Sequence, residues 1–208
     1  LIKRTKGVRT LNLPNKLTIF RILLVPIMII IPFFPITGEW AGIPITLWIV
    51  DAIFVLASIT DKLDGYLARS RNQVTNFGKF LDPIADKVLV IAAMIMLVEM
   101  GKLPAWIPCI VVFREFVVSG YRLIAVETGG KVIAASIWGK LKTVTLMLAI
   151  IVAFIDVHSF GAIFTENLTG WSFALNLLTT GLMLISVIAS IFSGWDYIKN
   201  GKDLLKDK

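Results

Sequence analysis

Between Thr60 and Lys87 the chain reads TDKLDGYLARSRNQVTNFGKFLDPIADK, and apolar runs flank this stretch on both sides. Its aspartates come in two pairs: Asp61 and Asp64 stand three apart, Asp82 and Asp86 four apart. On helices, each pair shares one face. If the two helices pack antiparallel, all four carboxylates meet at one depth. Two like charges about 4 Å apart cost roughly 4 kcal/mol at an effective dielectric near 20, so positive charge must sit among them. No His or Cys lies in the stretch, and an all-oxygen donor set suits hard divalent cations, Mg²⁺ or Mn²⁺. Four acids suffice for two such ions bridged by shared carboxylates. Gly65, beside Asp64, and Gly78, four before Asp82, let a ligand or a second backbone come close. Ala68 keeps the Asp64 face shallow, and Arg69 offers a planar cation to a phosphate. Two metals, small residues and an arginine describe a site for a pyrophosphate.

A second group of charges lies in CIVVFREFVVSGYRLIAVETGG, where Arg114 and Glu115 interrupt an apolar run. Charges in such a run are expensive and mark function. Arg114, Val118 and Arg122 repeat every four residues, so the two arginines share a face, with Ser119 on a neighbouring flank. Lys140 and Lys142 follow at the start of the next apolar run. Two arginines on one face suit a phosphomonoester. The plainer alternatives are an ion pair between Arg114 and Glu115, and anchoring by the lysines.

The elements that must position these residues are membrane helices. The chain has 208 residues, 57% of them hydrophobic, with a mean hydropathy of +0.83. A soluble domain of this length does not carry that much apolar sequence. Runs of roughly 20 apolar residues span a bilayer, and six are legible, over 18–36, 43–61, 79–99, 104–126, 137–157 and 171–196. The expected fold is an all-α integral membrane bundle of six transmembrane helices, a single domain over 12–208, preceded by an N-terminal extension or juxtamembrane segment, 1–11. The net charge of +7 is unevenly placed. PITGEWAGIP and DVHSFGAIFTENLTG contain no Lys or Arg, and the third connection on that side has only Lys102. The opposite connections and both termini hold nearly all the rest, a positive-inside pattern that puts the termini and the aspartates on the cytoplasmic side. The charge is thus read as favouring anionic lipid headgroups rather than nucleic acid. No A-x-A-like site follows the first apolar run, so a cleavable leader is not expected.

The spacing D-x-x-D-G-x-x-A-R-x8-G-x-x-x-D-x-x-x-D is met at every position from Asp61 to Asp86. It resembles the CDP-alcohol phosphotransferase family of integral membrane enzymes, which transfer a phosphatidyl or related group from a CDP-linked donor to an alcohol and release CMP. The resemblance implies that Asp61, Asp64, Asp82 and Asp86 hold two divalent cations, and that Asp86 is also the base on the acceptor hydroxyl. It implies that Gly65, Ala68, Arg69 and Gly78 line the cytidine-diphosphate pocket. NLPNKLTIFRILLVP at the head of the first run and SGWDYIKNGKDLLKDK at the C-terminus resemble the bacterial phosphatidylglycerophosphate synthases within that family, and the likeness runs from Asn12 onward. On that likeness Asn15, Thr18 and Arg21 complete the site for CDP-diacylglycerol, although Arg21 could simply snorkel.

REFVVSGYR resembles the same branch, so Arg114, Ser119, Arg122, Lys140 and Lys142 are expected to bind glycerol 3-phosphate. Inositol phosphate is the rival hardest to exclude; serine or phosphatidylglycerol would keep the reaction and change the alcohol. A divalent-cation transporter would want its acids at the membrane midplane rather than gathered at one edge. The resemblance also implies a homodimer in the bacterial cytoplasmic membrane. Among the remaining residues, Cys109 is expected to be a buried inert thiol and His158 a solvated loop residue. Asp51 is expected to face the bundle interior, pair with a polar group or sit at a dimer seam. Trp40, Trp106 and Trp171 near span ends suit an interfacial belt.

Overall fold

A computed structural model of the chain describes residues 12–70, 76–127 and 136–201. The expected N-terminal segment, 1–11, lies outside them. Six long helices dominate: α1 (Leu13–Ile30), α2 (Ile45–Ser70), α3 (Asn76–Glu99), α4 (Trp106–Glu127), α5 (Ile137–Ile155) and, after a single short turn α6 (Ala162–Thr165), α7 (Gly170–Asn200). A two-stranded antiparallel hairpin, β1 (Glu39–Trp40) and β2 (Ile43–Pro44), joins α1 to α2 and pairs Trp40 with Ile43.

Local sequence sets several of these ends. Proline stands in the first turn of α1, where no helical N–H is wanted. Ser136 caps α5, its hydroxyl accepting the Gly139 N–H at 3.3 Å. Pro83 sits inside α3 and withdraws one N–H from the ladder between Asp82 and Asp86.

The helices bury a core of Met28, Phe54, Leu97, Ile150, Phe154 and Met183, with alanines where backbones approach most closely: Ala57, Ala93, Ala149 and Ala153. The most extensive packing is α5 against α7. The inner face of α7 there is lined by Ser186, Ser190 and Ser193, all fully buried. Ser190 returns its hydroxyl proton to the Ser186 carbonyl at 2.7 Å, so the small polar residue satisfies itself within the helix. The outward faces are apolar as well: Leu23 and Ile27 on α1, Phe113 and Phe116 on α4, Ile188 and Phe192 on α7 are exposed. A helix that is apolar all round belongs in lipid or in a large core.

Among the described residues three segments, Asn15–Phe33, Ile137–Ile155 and Gly170–Asn200, are long and apolar enough to cross a membrane by length and composition. The other long helices, α2, α3 and α4, carry the motif aspartates and the Arg114, Glu115 and Arg122 charges. The expected six spans thus correspond to six long helices, of which three meet that criterion on their own. The ends differ from the sequence reading. The first helix starts at Leu13 and gives way to a 3-10 turn at Ile31–Phe33, and α2 runs on through the first half of the aspartate motif to Ser70. Falling hydropathy is the only sequence signal for an end there, and it marks where apolar sequence stops, not where a helix does.

The end of the bundle away from the aspartates is closed by buried polar groups. Lys102, in the connection between α3 and α4, donates to the carbonyls of Ala153 (3.2 Å) and Phe154 (2.9 Å) in the last turn of α5. Asn176 Nδ2 donates to Asp156 Oδ2 at 2.8 Å. Burial pushes the Lys102 ammonium down to about 8, against the opposing pull of Asp156 and Asp51. Asp51 does face the bundle interior, and its Oδ1 has no hydrogen-bond partner among the described residues. Two expectations are corrected. Cys109 is exposed, because its face of α4 points out of the bundle, and in an all-apolar helix hydropathy does not separate inward from outward. His158 is partly covered rather than solvated: its Nδ1 lies 3.5 Å from Glu166 Oε2 and its backbone N–H donates to Asp156. Trp40, Trp106 and Trp171 are exposed, as a belt requires.

Candidate active site

The aspartates gather where α1, α2 and α3 meet. Asp61 is on α2, and Asp82 and Asp86 share a face of α3 one turn apart. The positive charge demanded among them comes from α1. Arg21, fully buried, places Nη1 2.9 Å from Asp61 Oδ1 and 2.7 Å from Asp86 Oδ1. One turn earlier, the Thr18 hydroxyl donates to Asp82 Oδ1 at 2.9 Å. Both residues are expected from sequence to contact the donor substrate; in the structure they hold the acids. A guanidinium whose own carbon stem is enclosed by the bundle is not snorkelling. Asn15 is buried in the first turn of α1, and Gly78 in the first turn of α3. Asp64, Gly65, Ala68 and Arg69 lie on the last turns of α2, but their side chains are outside the described residues.

Across from the acids stands a cationic wall built by α4 and α5. Arg114, Arg122, Lys140 and Lys142 line the same cavity as Asp61, Asp82 and Asp86, a space of about 760 Å³ with an apolar floor that includes Ile91, Met94 and Met147. Glu115 ties two of the cations together: its Oε1 accepts from Arg114 Nη1 at 2.8 Å and from Lys142 Nζ at 2.6 Å. The ion pair that stood as the alternative to phosphate binding is therefore present, but it lies in the cavity lining and organises the wall. Ser119 is not part of that lining. Its hydroxyl accepts from Lys87 Nζ, and Lys87 does line the cavity.

Sequence reasoning missed Lys87, Ser193 and Tyr197. Lys87 adjoins Asp86, and a spacing argument built on pairs three and four apart passes over an immediate neighbour. Ser193 accepts from Arg114 Nη2, and the Tyr197 hydroxyl accepts from Arg122 Nη2 at 2.8 Å. A signal was present: Ser186, Ser190, Ser193 and Tyr197 recur every three or four residues, a polar stripe on an otherwise apolar helix.

The donor chemistry fits hard divalent cations. The carboxylates of Asp61, Asp82 and Asp86 are aimed at cationic or hydroxyl partners at one end of the bundle, and Arg21 bridges two of them as a cation. Among the described residues no three acids form a closed metal-binding group, and Asp64, the fourth member of the motif, is outside that set.

A bundle that faces carboxylates with arginines and lysines across one cavity is an arrangement for handling phosphate esters at a membrane. The chain belongs to the CDP-alcohol phosphatidyltransferase family, whose model matches residues 11–192. It is 40% identical over 202 residues to the CDP-diacylglycerol–glycerol-3-phosphate 3-phosphatidyltransferase of Bacillus subtilis, a match covering 94% of this chain and 97% of that protein. The enzyme of the same name from Haemophilus influenzae is 45% identical over 143 residues, 67% of this chain and 73% of its own length. That from Pseudomonas fluorescens is 34% identical over 199 residues, covering 91% and 93%.

Proposed function

We propose that the protein transfers the phosphatidyl group of CDP-diacylglycerol to glycerol 3-phosphate, giving phosphatidylglycerophosphate and CMP. The observation that carries this reading is the single cavity shared by the aspartates and the cationic wall. A pyrophosphate and a second, separate phosphate need two differently charged walls within one reach. The apolar floor suits the part of the donor nearest its acyl chains.

In this reading Asp86 takes the proton of the acceptor hydroxyl. The hydroxyl oxygen bonds to the phosphorus bearing diacylglycerol, and that phosphorus parts from the bridging oxygen, which leaves on CMP. Asp86 is half-exposed toward the cavity, so a substrate hydroxyl can reach it. Arg114, Arg122, Lys140 and Lys142 hold the acceptor phosphate, and Asn15, Gly65, Ala68, Arg69 and Gly78 contact the donor. Arg21 and Thr18 keep Asp61, Asp82 and Asp86 oriented. Two divalent cations, Mg²⁺ or Mn²⁺, held by Asp61, Asp64, Asp82 and Asp86, would neutralise the pyrophosphate charge. Positioning of the two substrates supplies much of the rate, because a carboxylate in such company is a weak base.

The reading includes six membrane spans, α2, α3 and α4 crossing beside the three more apolar helices. The Lys and Arg distribution supports a cytoplasmic active site and cytoplasmic termini in the bacterial membrane. The homodimer rests on the family resemblance. The deciding experiment offers purified protein, CDP-diacylglycerol and Mg²⁺ to labelled glycerol 3-phosphate, inositol phosphate, serine and phosphatidylglycerol. Glycerol 3-phosphate should give the only labelled lipid; efficient labelling from serine would refute a phosphate-reading wall.

A further inference from the structure

We infer that Ser193 and Tyr197 of α7 are positioning residues for the acceptor phosphate, acting through Arg114 and Arg122. The inference rests on the proposed role of those arginines and adds what makes two of them serve one phosphate.

Spacing raises the problem. Arg114 and Arg122 are two turns apart, so their backbones are separated by about 12 Å along α4. One phosphate accepts from both only if their guanidiniums converge. Their partners on α7 are four residues apart, which is about 6 Å of rise. Arg114 on Ser193 and Arg122 on Tyr197 are thus anchored to residues whose backbones stand closer along the helix than their own do on α4. The two residues that supply the hydroxyls are fully buried, at 0% and 1% exposure, so they are not themselves placed to meet a substrate.

Further features fix these contacts. The Tyr197 ring lies beneath the Arg122 guanidinium, 5.6 Å from its carbon to the ring centroid. The Arg114 side chain passes between α5 and α7 where both carry glycine. A Cβ at Gly139 would stand 3.2 Å from Arg114 Nη2 and 3.4 Å from Ser193 Oγ, and one at Gly194 3.6 Å from Arg114 Cγ. At the end of α7, Gly201 lies so close to the Tyr121 ring that a Cβ would fall 2.5 Å from it. The register of α7 along α4 is thus set by contact at both levels. An arginine left to itself surrenders about 2 kcal/mol of rotamer freedom on being fixed, and the hydroxyls meet that cost before substrate arrives.

The test uses conservative variants of the full chain and measures both substrates. Ser193→Ala and Tyr197→Phe should each raise KM for glycerol 3-phosphate by about threefold to tenfold, the worth of one hydrogen bond. Within that experiment kcat and KM for CDP-diacylglycerol should stay within about twofold of wild type. Ser193→Ala should add nothing in an Arg114→Ala background yet keep its full effect in an Arg122→Ala background. A loss spread equally over kcat and both KM values would mark the hydroxyls as packing only and overturn the inference. So would an effect of Ser193→Ala that survives Arg114→Ala. If Arg114→Ala raises the acceptor KM and Ser193→Ala does not, the positioning role alone falls. If Arg114→Ala itself leaves that KM unchanged, the acceptor reading falls with it.

Discussion

Replacing Glu115 by glutamine removes one charge and almost no volume, and the contacts of this carboxylate set the size of the effect. Glu115 Oε1 accepts from Arg114 at 2.8 Å and from Lys142 at 2.6 Å, and the lysine side chain is only 7% exposed. In Glu115→Gln the amide oxygen still accepts, but two cations lose their counter-charge. Breaking a fully buried pair costs about 3–5 kcal/mol. The surviving acceptor and the water admitted by the cavity reduce this to about 2–3 kcal/mol. At about 2–4 °C per kcal/mol for a chain of this length, the unfolding midpoint in detergent should drop by about 4–12 °C. Scan rate must be held fixed, because unfolding of such proteins is often irreversible. Lys142→Met added to Glu115→Gln should recover part of the loss, since the stranded ammonium is then gone. A midpoint within about 1 °C of wild type for Glu115→Gln would refute the view that this carboxylate organises the wall.

The acids separate by role: Asp61→Asn and Asp82→Asn should lose turnover and Mn²⁺ binding together, measured by calorimetry and headgroup transfer. Asp86→Asn should lose turnover while keeping CDP-diacylglycerol affinity within about threefold, as a base on the acceptor would. Lys102 predicts a pH effect at the other end of the bundle. Its folded pKa of about 8 lies below the ordinary lysine value of 10.5, so between those values the unfolded chain binds more protons and stability rises with pH. Thermal midpoints should therefore climb between pH 8 and 10.5, and Lys102→Met should flatten that slope; equal slopes would dismiss the buried ammonium.

The helical character of the chain was legible from the length of its apolar runs, and the pairing of its acids from their period. A spacing of three or four places two residues on one face wherever the helix lies. What period does not carry is partner identity across helices. The family likeness makes Arg21 a donor contact and is silent on Asp86, to which Arg21 bonds across 65 residues. Glu115 is visible as a charge in an apolar run, but its hold on Lys142 depends on how α4 and α5 meet. Cys109 misleads for a different reason: in lipid both faces of a helix are apolar, so hydropathy loses the contrast it has in water. Lys102 counts in the sequence only as a charge on a sparse side, whereas the last carbonyls of α5 make a buried place for it.

The salt bridges of Arg21 also set a timetable for making the protein. Arg21 lies in one of three segments that, among the described residues, are long and apolar enough to cross a membrane, and it leaves the ribosome before its partners on α2 and α3. Asp86 leaves the ribosome 65 residues later. At about 5–20 residues per second, the guanidinium waits roughly 3–13 s for that carboxylate. During that interval it must be sheltered by headgroups, by water at the insertion machinery or by Asp61 alone. Slowing translation downstream of α1 prolongs that exposure without altering a single contact of the finished bundle, so the yield of inserted protein should depend on codon usage between α1 and α3.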